Sequence, residues 1–206
     1  MPNLERWQST WTGLGVLPPA AGVHAALIAR YAEPHRRYHT VQHLDECFSR
    51  LDDARAVAEH FHEIELALWF DDAVYDPRRP DNEAQSAALA RAEGVGAGVP
   101  ASVLARVDSL ILATRHDASP ATPDATLLVD VDLAILGAPV DRFDEYEQQV
   151  RAEYAWVPGL IFRRKRREIL EGFLSRPRVY GTEAFHAKFE DAARANLSRS
   201  IRALGD

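Results

Sequence analysis

Ile64-Glu65-Leu66-Ala67-Leu68-Trp69-Phe70-Asp71-Asp72 is the stretch on which the reading of this chain turns. Its apolar residues do not alternate as a strand facing water would require, and they crowd most sides of a helix spanning about 62–74. A helix apolar on most sides is buried in the middle of a domain. This one ends on two adjacent carboxylates. Burying them beside Leu-Trp-Phe is very costly without a cation to balance them, so a divalent metal is the economical expectation.

Outward from that helix the chain reads as further helices set off by Pro- and Gly-containing turns. Residues 1–17 carry Trp7, Trp11 and Leu14 at helical spacing in positions that look exposed, and Pro18-Pro19 close the segment. A helix is predicted over about 22–32. The polar run Glu33-Pro-His-Arg-Arg-Tyr-His-Thr40 then leads into a helix over 41–59, where Leu44, Cys47, Phe48 and Leu51 fall at i, i+3, i+4, i+7. After the loop Asp76–Asp81 come helices near 82–93 and 101–115, separated by the Gly-rich turn Gly94–Pro100. A two-proline loop at 116–124 precedes helices near 125–136, 141–154, 159–174 and 182–203. Without strand-like alternation or an internal repeat, the expected fold is all-α, one domain over 1–206 with a core of about 22–180 and helical additions at both ends.

Composition narrows the function classes. The 206 residues are 47% hydrophobic and 27% charged, ordinary for a globular chain, with a formal net charge of −7. That balance makes nucleic acid an unfavoured partner, because such binding rests on neutralising phosphates. A small phosphorylated substrate remains compatible, since a local cationic pocket suffices for it. Cys47 is the only cysteine, which excludes an intramolecular disulfide and suggests a cytoplasmic setting. No stretch approaches the roughly 18 apolar residues of a membrane span, so no membrane partner is expected.

The residues suited to chemistry cluster. His39 and His43 are four apart at a helix start and share a face if the helix is established there. Asp76 lies four residues beyond Asp72. Asp130 and Asp132 sit in the apolar run Leu127–Leu136, about 200° apart on a helix, so only one of them faces a given site. Each has an ordinary alternative: a capping histidine, a solvated turn acid, an N-cap or a first-turn acid favoured by the helix dipole. Their joint occurrence around core helices favours a metal site of mixed N and O ligands.

The ordered motifs Tyr38-His-Thr-Val-Gln-His-Leu44, Ala67-Leu-Trp-Phe-Asp-Asp-Ala-Val-Tyr-Asp76, Asp81-Asn-Glu83, Ile111-Leu-Ala-Thr-Arg-His116 and Asp130-Val-Asp-Leu-Ala-Ile-Leu-Gly137 resemble the HD-domain superfamily of metal-dependent phosphohydrolases, over roughly residues 25–180. The resemblance implies an HD-like helical bundle and metal ligands at His43, Asp71, Asp72 and Asp132. One position departs from the pattern: Asp71 stands where the superfamily has the histidine of its His-Asp doublet. A carboxylate there is a harder, charged ligand, which moves metal preference toward Mg²⁺ or Mn²⁺ among the candidates Mn, Mg, Co, Ni and Fe and weakens the ion as a Lewis acid.

Implied with the fold is hydrolysis of a phosphate ester or anhydride, most naturally of a nucleotide. Asp76 or Glu83 would serve as general base or water-positioning group. Arg36, Arg37 and Arg115 are candidate phosphate partners, because guanidinium binds phosphate in a bidentate fork, and His39 and His116 would line the pocket. Two alternatives stay open: a catalytically impaired nucleotide-binding sensor, for which Asp71 speaks, and a di-iron oxygenase recruiting His39 and His116. The run Arg163-Arg-Lys-Arg-Arg167 spreads around a full helical circumference beside Glu168 and Glu171, and reads as a solvated face.

Overall fold

In the computed structural model, which describes residues 1–205, helix α4 (Phe61–Phe70) explains the rest of the first half of the chain. Nine of its ten residues are buried, His62 being the exception. The helix therefore needs neighbours on every side. Within a first compact unit (Met1–Val131) it is packed by α1 (Leu4–Gly13), α3 (Val41–Asp53), α5 (Asn82–Gly96) and α6 (Ala101–Ala113). Two further helices, α2 (Ala21–Arg30) and α7 (Pro123–Asp132), belong to the same stretch of chain.

Burial this complete forces the polar residues of α4 to find partners. Glu63 receives a bidentate pair from Arg106 of α6 at 2.7 and 2.6 Å. Glu65, 3% exposed, is met by Arg6 of α1 at 2.8 Å and by His62 at 3.1 Å. Each acid is thus neutralised by an arginine from another helix, the condition under which a buried charge is tolerated.

The expectation that Trp7 and Trp11 are exposed is corrected: both are fully buried. Their rings meet edge-to-face at 5.2 Å, Trp7 packs on Trp69 at 5.3 Å, and His24 joins the cluster. The spacing of four that makes α1 amphipathic is what turns this pair onto α4. Trp69 donates its indole N–H to Thr10 Oγ1 at 3.1 Å, fixing the helices in register.

Helix ends also differ from expectation. The helix predicted over 41–59 stops at Asp53 and is followed by a short 3₁₀ turn, Arg55–Val57. α5 runs through Gly94, where the sequence predicts a turn. There the glycine serves close packing: a Cβ at Gly94 would run into the Leu104 side chain. Gly98, at φ +82°, makes the turn instead. α4 ends at Phe70, so Asp71 and Asp72 fall in the turn after the helix.

A second unit begins at Asp132. A 3₁₀ helix (Leu133–Gly137) is followed by α8 (Val140–Glu153), α9 (Gly159–Leu174) and α10 (Glu183–Ala203). Gly137 lets the 3₁₀ segment approach α10, since a Cβ there would stand 2.8 Å from the Phe189 carbonyl oxygen. Asn196 donates to the carbonyls of Leu136 and Ala138 at 2.9 Å each and locks that approach. The described residues are all-α, without a strand, and no helix among them is long and apolar enough to cross a membrane.

Candidate metal centre

Two segments of the first unit build the centre. One is the connection from α2 into α3, carrying Arg36, Tyr38, His39 and, in the first turn of α3, His43. The other is the turn after α4, carrying Asp71, Asp72 and Tyr75. Thr40 caps α3 by accepting from the Gln42 N–H at 3.3 Å. That cap sets where the helix starts, and hence which way His43 points.

Arg36 ties the two segments together. It is 2% exposed, and its guanidinium donates to the carbonyl oxygens of His39 at 3.2 Å, Asp72 at 2.7 Å and Ala73 at 3.3 Å. Its Nε donates to Glu33 at 3.1 Å. An arginine anticipated as a phosphate partner is therefore a strut that holds one ligand-bearing loop to the other. Its charge is attached to main-chain carbonyls, a pattern that residue type and spacing alone do not reveal.

Across this brace His43 Nε2 stands 3.4 Å from Asp72 Oδ2. Two donors bonded to one ion at about 2.1 Å lie roughly 3.0–3.4 Å apart for octahedral to tetrahedral angles, so the pair fits a shared ion. His43 is buried, while the Asp72 side chain is 20% exposed, so the pair opens toward solvent on the Asp72 side. Asp71 is buried, and its Oδ1 accepts the Asp72 N–H at 2.8 Å. The first carboxylate thereby holds the main chain of the turn that carries the second. Tyr31 lies beneath: burial pushes its hydroxyl well above the usual range, and the nearby charges of Asp71 and Asp72 push the same way. It donates to the Trp69 carbonyl at 3.1 Å.

Three side chains not anticipated as site residues lie against His43 or His39. Tyr38 packs on its ring at 4.6 Å, and Tyr75 stacks on His39 at 4.1 Å. The third is Cys47, whose Sγ is 3.7 Å from both ring nitrogens of His43. The thiol therefore stands beside the imidazole as a further donor atom able to hold an ion. The i, i+4 spacing of His43 and Cys47 is the sequence signal for that contact.

The remaining candidates each have a local setting of their own. Asp76 Oδ1 accepts the Arg78 N–H at 2.9 Å and shapes the loop before α5, and Asn82 brackets the same residue by accepting from its N–H at 3.1 Å. Glu83 lies in the first turn of α5. Arg37 is exposed and donates to the Arg36 carbonyl at 3.2 Å. Arg115 pairs with Asp117 at 3.0 Å just past α6, and His116 adopts the left-handed φ of 57° there. Asp130 is 1% exposed inside α7 and so is not an N-cap; Asp132 closes α7 and is half-buried.

No family model, curated protein or solved structure matches this chain.

Proposed function

We propose that this protein is a metal-dependent phosphohydrolase of HD-like fold, acting on a nucleotide or another small phosphorylated metabolite, with His43, Asp72 and Asp132 as ligands of a divalent ion. The observation that carries this reading is the 3.4 Å approach of His43 Nε2 to Asp72 Oδ2, held by the buried Arg36 strut. Asp132 enters as the third ligand through the resemblance of its motif. Asp71, next to Asp72 in the same turn, is the further proposed ligand that the resemblance implies. When bound, such an ion polarises a phosphoryl oxygen and acidifies water. The protein's own contribution is to hold one imidazole and one carboxylate in fixed relation, open to solvent on the carboxylate side. Arg37, His39, Arg115 and His116 remain the proposed substrate contacts, and Asp76 and Glu83 the proposed water-positioning acids.

A second reading has a specific observation behind it. Asp71, whose Oδ1 accepts the Asp72 N–H, stands where the resembled superfamily has an imidazole; a carboxylate there weakens an ion as a Lewis acid, which favours a protein that binds a nucleotide without turning it over. One experiment separates the two. Titration of Mn²⁺, Mg²⁺, Co²⁺ and Ni²⁺ by calorimetry, with phosphate release measured from nucleoside mono-, di- and triphosphates, should show ion binding and turnover. Asp72→Ala should abolish both, and metal should raise the melting temperature of the parent protein only. Nucleotide binding without turnover under every ion gives the second reading; no ion binding at all removes both.

A further inference from the structure

We propose that the cavity between α8, α9 and α10 binds a small organic phosphate, independently of the metal centre. The cavity measures about 590 Å³, the size of a small-molecule site, and its wall includes Arg151, Phe162, Arg163, Arg199 and Ser200. The basic run of α9 points to it. Arg164 and Lys165 pair with Glu168, Arg166 with Glu147 and Arg167 with Glu171. Arg163 alone of the five has no acidic partner among the described residues, and it is the one that lines the cavity.

Arg151 adds a second uncompensated charge. It donates to the carbonyl oxygens of Tyr154 at 2.6 Å and Val157 at 3.1 Å and lies 4.6 Å over the Phe162 ring, with no carboxylate among these partners. The other charges of the wall are already balanced. Arg199 holds Asp144 at 2.6 Å, and Glu147 is taken by Arg166 and by the Ser200 hydroxyl. Two guanidinium charges remain with nothing opposite them, which matches the dianion of a phosphate monoester and the fork in which guanidinium binds it. Phe162, Ala203 and Leu204 offer an apolar wall for the organic part of such a ligand. The net charge of −7 is spread over the whole chain, and at physiological salt charges beyond about 8 Å are largely screened, so the local arginines set the sign here.

Calorimetric titration of the full chain in EDTA, with phenyl phosphate and inorganic phosphate as probes, tests this. EDTA removes any divalent ion, so failure here and failure of the metal reading are told apart. The parent should bind phenyl phosphate saturably at one site per chain, and more tightly than inorganic phosphate. Arg163→Glu should weaken that binding at least about tenfold, and the milder Arg163→Gln should weaken it in the same direction. Arg164→Glu alters a neighbour that is already paired, and should change it less than about twofold. Phe162→Leu should narrow the preference for phenyl phosphate, and Asp72→Ala should bind as the parent does. Unchanged circular-dichroism melts would show that the variants fold. Absence of saturable binding, equal affinity for the two probes, equal losses in Arg163→Glu and Arg164→Glu, or loss of binding in Asp72→Ala overturns the proposal.

Discussion

Helices α4 and α9 carry charge in opposite ways. α4 is buried nearly all round, and its two acids are met by arginines contributed from α1 and α6. α9 turns most of its length to solvent, and Arg164, Lys165 and Arg167 pair with Glu168 and Glu171 of the same helix. The same residue types therefore differ in consequence. On α9 a broken pair returns to water, whereas on α4 a broken pair leaves a charge where no water waits for it.

The contrast is broken most directly at Arg6. Its guanidinium holds Glu65 at 2.8 Å and Asp52 at 2.7 and 2.8 Å, and lies 4.3 Å over the Phe48 ring. Arg6→Met keeps the aliphatic stem and removes the charge, and should cost about 3–5 kcal/mol in urea unfolding because Glu65 stays buried. A loss no larger than that of a surface substitution would mean that α4 is not the shielded helix described above.

An intermediate case sharpens the comparison. Glu190 of α10 is buried and accepts the N–H groups of Val179 and Tyr180 at 3.0 and 3.2 Å, with Arg194 beside it at 2.8 Å. Burial pushes its carboxyl up, but these donors outweigh that and hold it below the ordinary value of 4.5. Because the folded value is lowered, the stabilisation is complete above pH 4.5 and is lost as pH falls through the lowered value. Glu190→Gln should cost about 1–3 kcal/mol near neutral pH and flatten the acid side of the stability profile. An unaltered acid limb would place the charge-linked stabilisation on other carboxylates.

The smallest effect is expected on α9. Lys165→Ala removes an exposed pair and should leave the urea midpoint of dilute protein unchanged within error. A clear loss there would show that this face, too, is shielded.

Much of the helical order is legible in the residues alone. The i, i+3, i+4 pattern in 41–51 and the continuous apolar run in 61–70 report local geometry, and prolines near the helix starts mark boundaries by steric exclusion. Ends are less legible where glycine serves packing, as at Gly94, because residue identity does not say whether a missing side chain is there for freedom or for proximity. The pairing of His43 with Asp72 is foreseeable in kind from the clustering of ligand types, and Cys47 from its spacing of four, while the surrounding Tyr38 and Tyr75 are not.

By itself, then, the sequence determined that the chain is helical, that α4 is its most apolar helix and that carboxylates terminate it, since periodicity and composition act over a few residues. Only the tertiary structure decided that Trp7 and Trp11 are buried, that Glu63 and Glu65 are neutralised by Arg106 and Arg6, and that Arg36 braces the ligand loops. The physical reason is separation along the chain. These partners are brought together by closing loops of about 36 to 59 residues, and which polar groups meet across such a closure depends on how helices pack, not on the residues nearby in sequence.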